Sequence, residues 1–180
     1  MNHLFANSIG ITGGFASGKS TVAEVLKEKI TDVDILGMDE LRKLVTPEPV
    51  YSDSEREYVY RALVYTAKTI NKLGHNVIID ATGNRRTWRE LARAQIPVFL
   101  EVYLKCPLEI CMQREKSRID RHDAPEDIYE KGEKGWPVPG VNIAYEEPEK
   151  PELIINTDIS SPEDAVKLIL EMIKVNTDIL

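Results

Sequence analysis

The chain has 180 residues, a formal net charge of −7 and a hydrophobic fraction of 42%. This length and apolar content suit one domain with a full core, residues 1–180, and the acidic balance excludes a general nucleic-acid coat, which needs a basic surface. Two cysteines, Cys106 and Cys111, give neither a disulfide framework nor a four-cysteine metal site; with no apolar run of membrane-spanning length and no apolar leader in Met1 to Phe5, a cytoplasmic protein without a membrane partner is expected.

In chain order, Ser8 to Ile11 reads as a short buried strand, and Thr21 to Leu26 as a helix with Val22, Val25, Leu26 and Ile30 on one face. Val33 to Leu36 reads as a second strand, ending at Gly37-Met38-Asp39. Pro47 and Pro49 break the next segment. Ser54 is then expected to cap a long helix reaching about Leu73, with Val59, Leu63, Thr66, Ile70 and Leu73 on its inner stripe. Gly74 stops it. Val77-Ile78-Ile79 is an apolar strand ending in Asp80, followed by a polar loop to Arg86. Thr87 to Gln95 reads as a helix with Trp88, Leu91 and Ala92 inward. Pro97 to Leu104 is the most strand-like run, and Pro107 opens a helix carrying Leu108, Ile110, Cys111 and Arg114. Periodicity fades from 115 to 140, a length that suits a lid or disorder. Leu153-Ile154-Ile155 is a last strand. Ser161-Pro162-Glu163-Asp164 starts a final helix with Leu168, Ile169 and Met172 inward. Strands alternating with helices imply an α/β fold of three layers, a five-stranded parallel sheet with helices on both faces.

Between the first strand and helix lies Gly13-Gly14-Phe15-Ala16-Ser17-Gly18-Lys19-Ser20, which fits G-x-x-x-x-G-K-[ST] in the strand–loop–helix context that the phosphate-cradling P-loop requires. Glycines let backbone N–H groups converge on one anion, and the helix N-terminus adds partial positive charge there. Gly13, Gly14, Phe15, Ala16, Ser17, Gly18, Lys19, Ser20 and Thr21 are therefore the expected ATP-binding residues. Lys19 would reach the β- and γ-phosphates and the Ser20 hydroxyl would bind Mg²⁺. Ligands of such sheets sit beyond the carboxyl ends of the strands, where Asp39 and Asp80 also fall. Each carboxylate could be the general base or a partner of the magnesium, an ordinary capping Asp being the competing reading.

Arg42, Arg56, Arg61, Arg85 and Arg86 root near the same edge and suit an anionic second substrate. Arg114, Arg118 and Arg121 lie in or before the expected lid, which would close over the triphosphate. Tyr58, Tyr60 and Tyr65 read as helix packing, with one available to line an acceptor pocket. His3, His75 and His122 show no ligand spacing.

The chain resembles the adenylylsulfate kinase family. Glu101-Val102-Tyr103-Leu104-Lys105-Cys106-Pro107-Leu108-Glu109-Ile110-Cys111 with Arg114 and Glu115, Ile128 to Gly132, Gly140-Val141-Asn142 and Tyr145 to Leu153 look like the family's second half. Asp39, Arg42, Tyr51-Ser52, Glu55-Arg56 and Arg61 match its first half in part. The resemblance implies an ATP-dependent phosphotransferase acting on the 3′-hydroxyl of adenylyl sulfate, with Asp39 as base and Arg42 and Arg56 holding the acceptor. The sequence departs from the family at Gly37, where an Asp is usual, at Tyr58-Val59 in place of Glu-Asn, at Gly83-Asn84 in place of Ser-Pro, at Val138 in place of a Phe, and in a longer stretch from Arg118 to Asp127. These positions handle the acceptor more than ATP. The loop Asp80 to Arg86, with Asn84 as a candidate acceptor contact, is similar to that of small P-loop kinases acting on sugars, polynucleotide ends or aminoacylated tRNA, where Asp80 would be the base. A nucleotide-dependent switch without transfer activity is a third reading, without a guanine signature, since Asn71-Lys72 is followed by Leu73-Gly74. A homodimer is left open.

Overall fold

A computed structural model of the chain describes residues 6–117 and 127–177. Five strands, β1 (Ser8–Gly13), β2 (Val33–Gly37), β3 (Asn76–Asp80), β4 (Phe99–Lys105) and β5 (Leu153–Asn156), form one sheet in the order β2-β3-β1-β4-β5. All four pairings are parallel, so each connection must cross over a face of the sheet, and helices supply those crossovers. They are α1 (Lys19–Lys27), α2 (Met38–Val45), α3 (Asp53–Lys72), α4 (Arg86–Gln95), α5 (Leu108–Ser117), α6 (Ile128–Glu133) and α7 (Pro162–Thr177).

The expected three layers are present. One apolar cluster packs α1 and α7 against Ile9, Ile11, Val102, Leu104 and Ile155. Another packs α3 and α4 against Val77, Ile79 and Phe99. β1, buried at all six positions, lies in the middle. A third cluster joins Cys111 on α5 to Ile128 and Tyr129 on α6 and Val138 beyond it, with Phe15 of the phosphate loop against them.

Several local expectations change. Ser52, not Ser54, caps α3, its Oγ accepting the Glu55 N–H at 3.2 Å; two serines at this spacing offer the same chemistry, and the turn at Tyr51 selects the first. Val59 and Leu63 face the core, as do Tyr60, Val64 and Ala67, whereas Leu73 follows the last turn and is 73% exposed. Tyr60 packs on Trp88, but Tyr58 and Tyr65 are exposed. On α7 the inward residues are Ala165, Val166, Ile169 and Met172, and Leu168 is exposed. Asp39 is the second residue of α2, whose cap position is Gly37. Within 115–140, residues 115–117 finish α5, 128–133 form α6, and 118–126, with Arg118, Arg121 and His122, lie outside the described residues.

The segment from Ala144 to Glu152 runs as a strap along α4. Arg86, Arg89 and Arg93 share a helix face at spacings of three and four. Arg86 pairs with Glu149 and donates to the Glu147 carbonyl, Arg89 donates to the Glu146 carbonyl at 2.6 Å, and Arg93 pairs with Glu152 at 2.6 Å. Arg89 is also ion-paired to Glu101 of β4 at 2.7 Å, with both side chains buried. Truncating Glu101 to Ala leaves that guanidinium buried without its counter-charge. The variant should lose about 3–5 kcal/mol of stability, read from the denaturant unfolding midpoint.

Candidate active site

β1 runs through the centre of the sheet and delivers the phosphate loop to its carboxyl edge. The bend there leaves no room for a side chain. A Cβ on Gly13, whose φ is +156°, would lie 2.6 Å from the Leu104 carbonyl oxygen and 2.6 Å from Ser17 Oγ. Gly18, at φ 96°, turns the chain into α1 as its N-cap residue. Lys19 is the first residue of α1 and is buried; its Nζ donates to the Gly14 carbonyl at 2.9 Å, folded over the loop it serves. Two contacts brace the loop from outside: Tyr129 of α6 donates its hydroxyl to the Phe15 carbonyl at 2.7 Å, and the Thr157 hydroxyl reaches the Ser17 carbonyl at 2.9 Å.

A cavity of about 350 Å³ opens over this loop. Phe15 to Thr21, Asp39, Asp80, Ala81, Thr82, Arg114 and Thr157 line it, together with the start of α7. Asp39 and Asp80, 41 positions apart in sequence, thus share one wall because β2 and β3 are parallel neighbours whose ends coincide, Gly37 lying beside Asp80. Arg114 donates to the carbonyl and hydroxyl of Thr157, which fixes its guanidinium at the cavity rim.

Beside Asp39 lies a second constellation, centred on Tyr51. The Arg42 and Arg56 guanidinium carbons stand 5.0 and 5.5 Å from its ring centroid, and the Trp136 ring meets it edge-on at 4.5 Å. Tyr51 holds a φ of 56°, a left-handed backbone that a bulky residue adopts only when its surroundings enforce it. Glu55 enforces it. Its carboxylate accepts the Val50 and Tyr51 N–H groups at 2.6 and 3.1 Å and pairs with Arg42 at 2.8 Å. Arg56 donates from Nε to the Tyr51 carbonyl at 2.9 Å and from Nη2 to the Pro137 carbonyl at 2.5 Å, joining α3 to the loop after α6. Burial, with the Arg42 charge adding, pulls the Arg56 guanidinium below its ordinary value. Burial likewise raises the Tyr51 hydroxyl, and the Asp39 charge pushes the same way.

Among the described residues, the other candidate arginines near this edge do not join this group. Arg61 lies five residues beyond Arg56, about 140° further round an α-helix, and pairs on the surface with Glu57 at 2.7 Å. Arg85 binds Asp53 and Glu146, and Arg86 binds Glu149. Asn84 is buried, its amide donating to the Ala144 carbonyl at 3.3 Å, which ties the β3 loop to the strap.

Sequence reasoning missed Arg89, Tyr145, Thr12 and Trp136. The signal for Arg89 was present: arginines at 86, 89 and 93 face an acidic run at 146, 147, 149 and 152. Tyr145 stacks on Tyr103 with centroids 5.9 Å apart, and its hydroxyl lies 2.9 Å from that of Thr12. Burial pushes that hydroxyl up to about 12, so it keeps its proton at neutral pH.

Known proteins resemble this chain along most of its length. The profile of the family described as adenylylsulphate kinase matches residues 6–156. A probable adenylyl-sulfate kinase of Archaeoglobus fulgidus is 35% identical over 156 residues, 83% of this chain and 95% of that protein. A probable adenylyl-sulfate kinase of Pyrococcus abyssi is 31% identical over 173 residues, 93% and 94% of the two chains. Among solved structures, the Mycobacterium tuberculosis APS kinase in complex with AMPPNP and APS superposes with a TM-score of 0.81 at 25% identity, covering 94% of this chain and 98% of that one. Shikimate kinase of Bacteroides thetaiotaomicron, at 16% identity and a TM-score of 0.62 over 93% and 98% of the two chains, shares the fold. The P-loop on the central strand, the strand-end acids and these matches together place the chain in the adenylylsulphate kinase family.

Proposed function

We propose that this chain transfers the γ-phosphoryl group of ATP to the ribose 3′-hydroxyl of adenylyl sulfate, giving 3′-phosphoadenylyl sulfate. The observation that carries this reading is a cavity lined by both the phosphate loop and the carboxylates of Asp39 and Asp80, in a chain of this family. The chain acts as one domain, with α6 and the described residues after it, to Gly140, serving as the lid. No helix among the described residues is long and apolar enough to cross a membrane.

Phosphoryl transfer depends on position and charge more than on covalent chemistry. The loop amides and the Lys19 ammonium hold the triphosphate and take up charge that builds on its oxygens. The Ser20 hydroxyl lines the cavity, as do Asp39 and Asp80. Among the described residues no group of three or more His, Cys, Asp or Glu could hold a metal ion alone. That donor set fits Mg²⁺, which keeps most of its waters and binds through one or two protein oxygens plus substrate phosphates. When bound, the ion neutralises charge on the β- and γ-phosphates. One of Asp39 and Asp80 takes the proton from the attacking hydroxyl, and the other would serve as a partner of the magnesium ion. Arg56, held between Tyr51 and Pro137, and Arg42 behind it present positive charge to the anionic acceptor. The reading is tested by incubating the protein with Mg-ATP and adenylyl sulfate: the 3′-phosphorylated product is expected, and ATP hydrolysis without it overturns the assignment.

Lys19→Ala should abolish product formation. It removes the hydrogen bond to the Gly14 carbonyl, so stability should fall by only about 1 kcal/mol. A variant that unfolds instead would make Lys19 a structural residue. Asp39→Asn and Asp80→Asn should each cut kcat, and the base is the one whose loss leaves ATP affinity unchanged in equilibrium titration. Arg56→Lys, which loses the planar fork, should raise the acceptor KM. Arg61→Ala should leave it unchanged and cost about 0.3–0.5 kcal/mol, as expected of an exposed pair one helical turn apart.

A further inference from the structure

β3 ends in Asp80 at the cavity, and the next three residues are each tied down, the first two by β1 and the third by α4. The Ala81 N–H donates to the Ile11 carbonyl of β1 at 3.3 Å. The Thr82 carbonyl accepts the Thr12 hydroxyl at 2.7 Å. The Gly83 carbonyl accepts Arg89 Nη1. The middle tie is special in its position, because Thr12 immediately precedes Gly13, where the phosphate loop begins.

Thr12 has one hydroxyl proton, and the Thr82 carbonyl can only accept. That proton is therefore committed to Thr82. The remaining contact of Thr12 Oγ1, with the Tyr145 hydroxyl at 2.9 Å, must then run from tyrosine to threonine. The result is a directed chain, Tyr145 O–H to Thr12 O–H to Thr82 carbonyl, in which each donor polarises the next. The Tyr145 ring is itself fixed. It stacks on Tyr103 at an interplanar angle of 20°, and the Arg89 guanidinium lies 5.7 Å from its centroid. Its backbone belongs to the strap that Arg86, Arg89 and Arg93 hold against α4.

We infer that Tyr145 is a positioning residue for phosphoryl transfer: through Thr12, its hydroxyl holds the Asp80 loop at a fixed offset from the phosphate loop. This inference rests on the kinase reading given above. Tyr145 does not line the cavity; it acts on the spacing between the loop that would grip the triphosphate and Asp80, one of the two carboxylates on the cavity wall. That spacing matters most when the transferring group lies between the two, so its loss falls on kcat more than on ATP binding.

The test uses the full chain, four single variants and one double variant, with kcat, KM for ATP and thermal midpoint measured for each. Tyr145→Phe keeps the ring and removes the donor; Thr12→Val breaks the chain at its centre; Thr12→Ser restores the hydroxyl; Glu152→Gln loosens the far end of the strap, away from the cavity. Tyr145→Phe and Thr12→Val should each lower kcat by about tenfold with KM for ATP little changed, as for a small displacement of reacting groups. Thr12→Ser should recover most of that loss. The double variant Tyr145→Phe/Thr12→Val should be no slower than Thr12→Val alone, because both cut one chain. Glu152→Gln should lower the thermal midpoint and spare kcat. The inference is overturned if Tyr145→Phe keeps wild-type kcat, if Thr12→Ser fails to rescue, or if Glu152→Gln lowers kcat as much as Tyr145→Phe does. Wild-type protein that forms no phosphorylated adenylyl sulfate would remove the kinase reading and this inference together, whereas normal wild-type turnover with an unaffected Tyr145→Phe removes the inference alone.

Discussion

Converging several main-chain N–H groups on one anion forces the backbone to turn back on itself at the end of a strand that is walled in on both sides. Gly13 sits where that constraint is tightest: the Leu104 carbonyl and the Ser17 hydroxyl occupy the space that any Cβ would need. β4 creates the crowding, since its parallel register sets Gly13 beside Leu104. The same register gives the loop its rigidity. The phosphate loop is thus a product of the sheet as much as of its own sequence, and the parallel strands β3 and β2 bring Asp80, and Asp39 at the start of α2, to the same cavity.

The charges of the molecule divide into two kinds of work. One set binds the structure to itself: Arg85, Arg86, Arg89 and Arg93 answer Glu146, Glu149, Glu101 and Glu152. Most of these pairs are partly exposed and individually weak, but Arg89 and Glu101 are buried, and there the loss of either partner is costly. The other set, Arg42 and Arg56 around Tyr51, is buried and held by Glu55 and by backbone carbonyls near Asp39, and burial already weakens the hold of Arg56 on its proton. A guanidinium kept there by its neighbours is poised to gain from an incoming anion.

Much of this was readable in the sequence, for identifiable reasons. The phosphate loop is a contiguous pattern whose chemistry needs each residue type at its spacing, so it could be read without a fold. The strands were readable because buried parallel strands are continuous apolar runs, and Asp39 and Asp80 because one follows such a run closely and the other ends one. What resisted was anything set by distant partners. Arg89 looks like one more surface arginine on α4 until Glu101 comes to lie beneath it. Ser52 and Ser54 are equivalent in sequence, and only the turn at Tyr51 chooses between them. Arg61 matches a family position yet points away, because helical geometry carries it round from Arg56. Trp136 and Tyr145 lie in irregular chain, where periodicity is silent.

The strand order also bears on how the protein comes to exist. The central strand is made early but its two neighbours are β3 and β4, with helices intervening, and the hydroxyl contact from Thr12 to Tyr145 spans 133 positions. Contacts at such separation form late and slowly. During synthesis the N-terminal motif therefore emerges long before the strand that shapes it, and before the strap that ties it to its neighbours. A ribosome-bound fragment ending before β4 would carry the whole glycine-rich signature without the Leu104 carbonyl that crowds Gly13 in the finished sheet.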